Sequence, residues 1–176
     1  KISVIYNSIN TGVFKPSAPK EKNTVIAAGS FIHPRKGFDF LLKIYEDLDR
    51  HGVKILDVGR RPEYGLAKLA KLKNVERFGT VSQEKLLELY SRASAHISTS
   101  RYEGFGLSII EAMACGTPTV AFGVGGAKEA LEQVDPSLVI PFGEVDQMLK
   151  KISKKKTSSR KWTNLFFPMG SVSFCF

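Results

Sequence analysis

The sequence predicts an α/β domain: a parallel sheet with helices on both faces. Two observations predict it. Short runs rich in Val, Ile and Ala alternate with segments whose apolar residues recur at helical spacing, from residue 2 to about residue 153. The intervening helical segments are long enough to carry the chain back across a sheet, which makes each unit βαβ and each strand parallel to its neighbour. Parallel strands need cover on both faces, and ligands of such sheets bind beyond the carboxyl ends of the strands. Most of the glycine-rich loops fall there.

Taken in order, the strand-like runs are "ISVIY" (2–6), "TVIAAG" (24–29), "VKILDVG" (53–59), the less regular "VERFG" (75–79), "AHIST" (95–99), "PTVAF" (118–122) and "SLVI" (137–140). Helical segments are expected at 37–52, 62–73, 82–93, 106–116, 125–134 and 143–153. Within 82–93, Leu86, Leu87, Leu89 and Tyr90 share one face, and Ser82 is placed to cap the first turn. Gly116 followed by Pro118 stops the fourth helix. Residues 7–23 are a polar connection with Gly12, Pro16 and Pro19. The domain is bounded at residues 1–153, and residues 154–176 form a basic and then aromatic tail without a strand or helical period.

The chain has 176 residues, 43% apolar and 24% charged, which suits a globular domain with a sizeable core. No apolar run approaches the roughly 20 residues that span a bilayer. Cys115 and Cys175 give no disulfide framework and point to a reducing, cytoplasmic setting. The net charge of +9 belongs to the tail: residues 150–161 hold seven Lys or Arg, while residues 1–149 carry 19 basic and 17 acidic side chains. A body so nearly neutral speaks against a nucleic-acid-binding domain. The basic run admits two readings, a solvated end and a patch that engages the inner face of an anionic membrane. An upstream part is expected, since the chain opens on Lys1.

The chemistry concentrates in "RYEGFGLSIIEAMACGTP" (101–118). A helix that begins near Leu107 behind Gly104 and Gly106 offers backbone N–H groups to an anion, and the glycines allow a close approach. Glu103 lies in the loop beside that helix start and Glu111 about one turn into the helix. Carboxylates next to a phosphate site accept hydrogen bonds from sugar hydroxyls, so the pair suits a ligand with both groups. On this stretch alone a second reading stays open, in which the glycines only turn the chain and Glu111 bonds a neighbour. "FIHPRKGFDF" (31–40) adds Arg35 and Lys36 at the start of another helix, where cations oppose the helix dipole unless an anion joins them. His33 is read as a turn residue, Cys115 as a core residue, and Asp47 and Asp49 as a solvated helix face.

Three blocks in order, "VIYNSINTGVF", "AGSFIHPRKGFDFLL" and the run from "NVERFGTVSQEKLLELY" through "EGFGLSIIEAMACGTPTVAFGVGGAKE", resemble the carboxy-terminal half of the group 1, retaining glycosyltransferases of the GT-B fold. The resemblance covers residues 2 to about 150 and implies a Rossmann-like donor-binding domain. It implies that Lys36 holds the donor diphosphate, that Glu103 lies against the transferred sugar, and that these two carry the catalytic roles. Backbone around Gly104, Phe105, Gly106 and Leu107 would bind the sugar hydroxyls and diphosphate, Glu111 the ribose, and Thr80 and Val81 the base. Ser30 and Arg35 belong to the same donor-binding set. The implied ligand is a nucleotide sugar such as a GDP- or UDP-sugar, with no cofactor or metal, and the implied activity is a mannosyl- or glucosyltransferase of glycoconjugate or polysaccharide synthesis. The acceptor domain would precede Lys1. Two positions depart from the family: Phe31 stands where an arginine clamps the diphosphate, and Tyr6-Asn7-Ser8 replaces Pro-Asn-Gly. Arg35 or the Arg60–Arg61 pair is the expected substitute clamp.

Rival readings use the same residues differently. "FGVGGAKE" (122–129) follows a strand and opens a helix, as in dinucleotide-binding domains, but Gly123, Gly125 and Gly126 do not make Gly-x-Gly-x-x-Gly. A sugar-nucleotide epimerase would share the phosphate site but needs further acid–base residues. A binding module acting through the basic tail is the non-enzymatic alternative.

Overall fold

A computed structural model describes residues 7–155. The strand expected at 2–6 and the tail from residue 156 lie outside them. Strands β1 (Thr24–Ala28), β2 (Lys54–Val58), β3 (Val75–Gly79), β4 (Ala95–Ser98), β5 (Thr119–Phe122) and β6 (Val139–Ile140) form a six-stranded sheet. All pairings are parallel, in the order β3-β2-β1-β4-β5-β6. Helices α1 (Phe38–Arg50), α2 (Glu63–Leu69), α3 (Gln83–Arg92), α4 (Leu107–Ala114), α5 (Gly126–Glu132) and α6 (Val145–Lys155) join them. The chain builds outward from β1 to β3, then returns to lay β4 on the other side of β1. Its direction of growth therefore reverses between β1 and β4, and the carboxyl ends at such a reversal are where doubly wound sheets place their ligand crevice.

Side chains alternate across each strand, and the two faces are covered by different helices. Val25, Ala27, Ile55 and Ile97 pack with Leu41, Ile44, Tyr45 and Leu48 of α1. Ile26, Ala28, Leu56 and Val58 pack with Leu89 and Tyr90 of α3 and with Ala112 and Cys115 around the end of α4. Each fully buried Leu, Ile or Val contributes about 1.5–3 kcal/mol of transfer free energy, so these two clusters fix which way each helix faces. Helix α3 begins as its sequence suggests, with Ser82 Oγ accepting from the Lys85 N–H at 3.3 Å. Helix α4 ends before Gly116, which takes a left-handed φ of 75°. Burial pushes the Cys115 thiol up to about 11, so it stays a protonated core residue.

One expectation changes. The run at 137–140 is mostly a 3-10 turn, Pro136–Leu138, with only two strand residues after it. Pro136 has no N–H for a ladder, and the Asp135 carboxylate takes the Ser137 N–H at 2.9 Å. The less regular run at 75–79 is the strand expected there, and it lies at the sheet edge, where exposed Glu76 and Arg77 deter pairing with another chain.

Candidate functional site

The loops after β1 and β4 meet over the crevice. Gly37 holds them together: its φ is 65°, and any Cβ would overlap the Thr99 carbonyl. Thr99 Oγ1 donates to the carbonyls of Lys36 and Gly37, both at 3.1 Å, and the Arg101 N–H donates to Arg35 O at 2.6 Å. This stitching brings Lys36 Nζ to 2.7 Å from Glu103 Oε2. Their side chains keep 21% and 12% of their exposure, so solvent screens the pair only in part. Ser100 Oγ donates to the same oxygen at 3.0 Å, and the Gly126 N–H holds the Glu103 carbonyl at 3.0 Å.

Gly106, with φ 83°, is the N-cap of α4 and supplies no side-chain cap. The N–H groups of Leu107 and Ser108 have no carbonyl within their own helix, so this end attracts anions. Glu111 lies one turn further, half-buried, and accepts from Tyr90 OH at 3.4 Å. Burial raises its pKa, and the Tyr90 contact offsets this only partly. His33 is a turn residue: its Nδ1 accepts from the Arg35 N–H at 3.3 Å. Ser30, Arg35 and Leu107 are exposed, Val81 is half-buried against the second core cluster, and Gly104 and Phe105 form the turn between Glu103 and α4.

Arg61 does not serve as a substitute clamp. It is buried, and its guanidinium donates to Asp57 Oδ1 at 2.6 and 2.8 Å and to the carbonyls of Gly29, Val58 and Ala27 at 2.7, 3.0 and 3.3 Å. Phe31 lies under it, with the guanidinium 4.5 Å from the ring centroid. Arg101 is also occupied, 2.7 Å from Asp39. Arg35 and Arg60 remain exposed at the rim, and Arg60 O accepts the Phe31 N–H at 2.8 Å. Asp49 accepts from the Asn74 N–H at 2.6 Å and ties α1 to the segment before β3, while Asp47 pairs with Arg50 of the same helix at 2.7 Å.

Sequence reasoning missed Ser100, Tyr90 and the task of Gly125 and Gly126. A Cβ at Gly125 would overlap the Glu103 carbonyl, and one at Gly126 the Gly104 carbonyl. These glycines let the start of α5 pack closely against the Glu103 loop. The repeated glycine was visible; its close neighbour, far away in sequence, was not. Gly126→Ala is expected to cost about 1–3 kcal/mol, since the Gly104 backbone must shift. Chemical denaturation measures the loss, and unchanged stability would show that the loop yields freely.

A doubly wound parallel sheet with a lysine, a carboxylate and a helix amino end at its reversal point defines a domain class that binds phosphorylated ligands. Comparison with known proteins gives the family. Residues 22–155 match the family described as glycosyl transferases group 1, and the chain belongs to it. It is 32% identical over 146 residues to a probable sucrose-phosphate synthase of Thermosipho melanesiensis, covering 75% of this chain and 34% of that protein. It is 33% identical over 162 residues to a D-inositol 3-phosphate glycosyltransferase of Segniliparus rotundus, covering 79% and 36%. The solved sucrose-phosphate synthase of Thermosynechococcus elongatus superposes with a TM-score of 0.75 at 27% identity, over 92% of this chain and 45% of that one. Anabaena HepE in complex with UDP-glucose superposes with a TM-score of 0.76 at 22% identity, over 93% and 50%; this likeness is one of fold. The chain thus spans about a third of the two curated relatives and about half of the two solved chains.

Proposed function

We propose that this domain is the donor-binding part of a retaining glycosyltransferase that takes a nucleoside diphosphate sugar. The observation that carries the reading is the contact of Lys36 with Glu103 at the β1–β4 crevice, beside the uncapped start of α4. The cation and the helix end suit a diphosphate, and the carboxylate suits sugar hydroxyls. Glu111 takes the ribose, Thr80 and Val81 flank the base, and the backbone from Gly104 to Leu107 follows the diphosphate and sugar. Ser30 belongs to the donor contacts, and Arg35 with Arg60 supplies the second cationic contact. Relatives include an MMP α-(1→4)-mannosyltransferase, and the solved HepE contains UDP-glucose, which supports a mannosyl or glucosyl donor.

Bond cleavage leaves negative charge on the departing diphosphate, and groups that hold it more tightly then lower the barrier. Lys36 and the α4 amino end do this without a metal or other cofactor. The acceptor is held by the remainder of the longer protein, so the present chain binds donor but transfers no sugar. Among the described residues no helix is long and apolar enough to cross a membrane. A cytoplasmic site of action, with the basic run touching a membrane surface, fits the charge distribution.

Lys36→Ala is expected to weaken binding of UDP-glucose or GDP-mannose about ten- to a hundredfold, the worth of one charge-assisted hydrogen bond. Titration calorimetry tests it. Wild-type affinity in the variant, or loss of full-length transfer on adding chelator, would overturn the respective part of the mechanism.

A further inference from the structure

Lys36 and Glu103 also stand in each other's way. The Lys36 ammonium is spent on Glu103 Oε2 at 2.7 Å. A diphosphate that takes Lys36 must sit within a few ångströms of a carboxylate which has just lost its counter-ion. Glu103 cannot swing clear, because Ser100 Oγ holds that same oxygen at 3.0 Å and Gly126 holds its main chain. Desolvation sharpens the conflict, since Glu103 retains only 12% of its side-chain exposure.

We propose that Glu103 is a specificity-determining residue that sets the site against spent nucleotide and in favour of the sugar-bearing donor. This rests on the donor-binding reading above. With a sugar attached, its hydroxyls donate to Glu103 and replace Lys36 as its partner. With a bare nucleoside diphosphate nothing replaces it, and two anions face each other. The free energy of the broken ion pair is then recovered by donor and not by product. Once the sugar has left, Glu103 and Lys36 re-form their contact and the nucleoside diphosphate is displaced. The loop thereby assists product release as well as recognition.

The test uses calorimetric titration of this chain with UDP and UDP-glucose, and with GDP and GDP-mannose, in wild type, Glu103→Gln, Lys36→Ala and the double variant. Glu103→Gln is isosteric, and its melting curve reports folding independently. It is expected to bind nucleoside diphosphate about tenfold more tightly than wild type, because Lys36 no longer has to be released from a carboxylate partner. Binding of the sugar nucleotide should gain less, so the preference for the intact donor falls. In the Lys36→Ala background the Gln substitution should lose most of that gain, because there is no lysine left to release. If wild type binds nucleoside diphosphate and Glu103→Gln binds it no better, the inference is wrong while the donor site stands. If wild type binds none of the four ligands, the donor-binding reading fails and takes this inference with it.

Discussion

Arg61→Ala is expected to destabilise the domain by about 3–5 kcal/mol, because it leaves a buried carboxylate without its cation. Asp57 is fully buried, and Arg61 supplies its closest charge, while Tyr45 OH adds a hydrogen bond at 2.9 Å and Arg77 reaches its other oxygen at 3.4 Å. Arg77 is 37% exposed at the edge strand and compensates weakly. The same guanidinium satisfies carbonyls at the ends of β1 and β2, which lose their donor as well. Replacing both partners with apolar residues, Asp57→Leu with Arg61→Met, should recover part of the loss, since no charge is then buried, although Tyr45 OH and the strand-end carbonyls still lack their partners. Urea denaturation measures both. A loss under about 1 kcal/mol for Arg61→Ala would mean that water reaches Asp57 in solution.

The second large effect is acid sensitivity centred on His96. The ring is fully buried on the face covered by α3 and α4, with Nδ1 3.0 Å from Thr119 Oγ1 and its edge against Tyr90 at 5.7 Å between centroids. Its Nε2 has no hydrogen-bond partner among the described residues. Burial, and secondarily the charge of Lys36, lowers its pKa from 6.5 to about 3. The folded ring therefore stays neutral where the unfolded ring takes up a proton. Its contribution is complete above about pH 6.5 and is lost progressively as the pH falls towards 3, at about 1.4 kcal/mol per unit, or roughly 4–5 kcal/mol in all. Glu111, whose pKa is raised, opposes this on the acid side. Glu21 and Glu88, lowered chiefly by hydrogen bonds from Arg92 and Lys85, add to the loss only further into acid. Comparing wild type with His96→Phe between pH 7 and 5 isolates the histidine. The variant should show a flatter profile, and equal slopes would refute the assignment.

Neither effect was visible in the sequence, although most of the fold was. The alternation of strand-like and helical runs located every strand from 24 to 122 and every helix to within a few residues, because period and turn chemistry are local properties. Lys36 and Glu103 were both singled out, since each follows a strand in a glycine-bearing loop. Their direct contact was not legible, as it depends on β4 returning to lie beside β1, a choice of strand order made by the whole sheet. Asp57 and Arg61 are only four residues apart, yet their pairing was not legible either, because the turn after β2 that folds Arg61 back onto Asp57 carries no periodic signal. Ser100 gave no signal, because a serine after a strand is ordinary. Pro136 did give one, and it decided against an extended strand at 137–140.

The close approach of Gly37 to Thr99 has a consequence for inheritance. The lysine-bearing loop and the glutamate-bearing loop are separate in the gene, yet neither can change its backbone without displacing the other. They should therefore evolve as a single module, with substitutions in one tolerated only alongside matching changes in its companion. A chimaera that borrows one loop from a relative inherits half of a fitted joint. One that borrows both, together with the glycines that back them, carries over the joint intact.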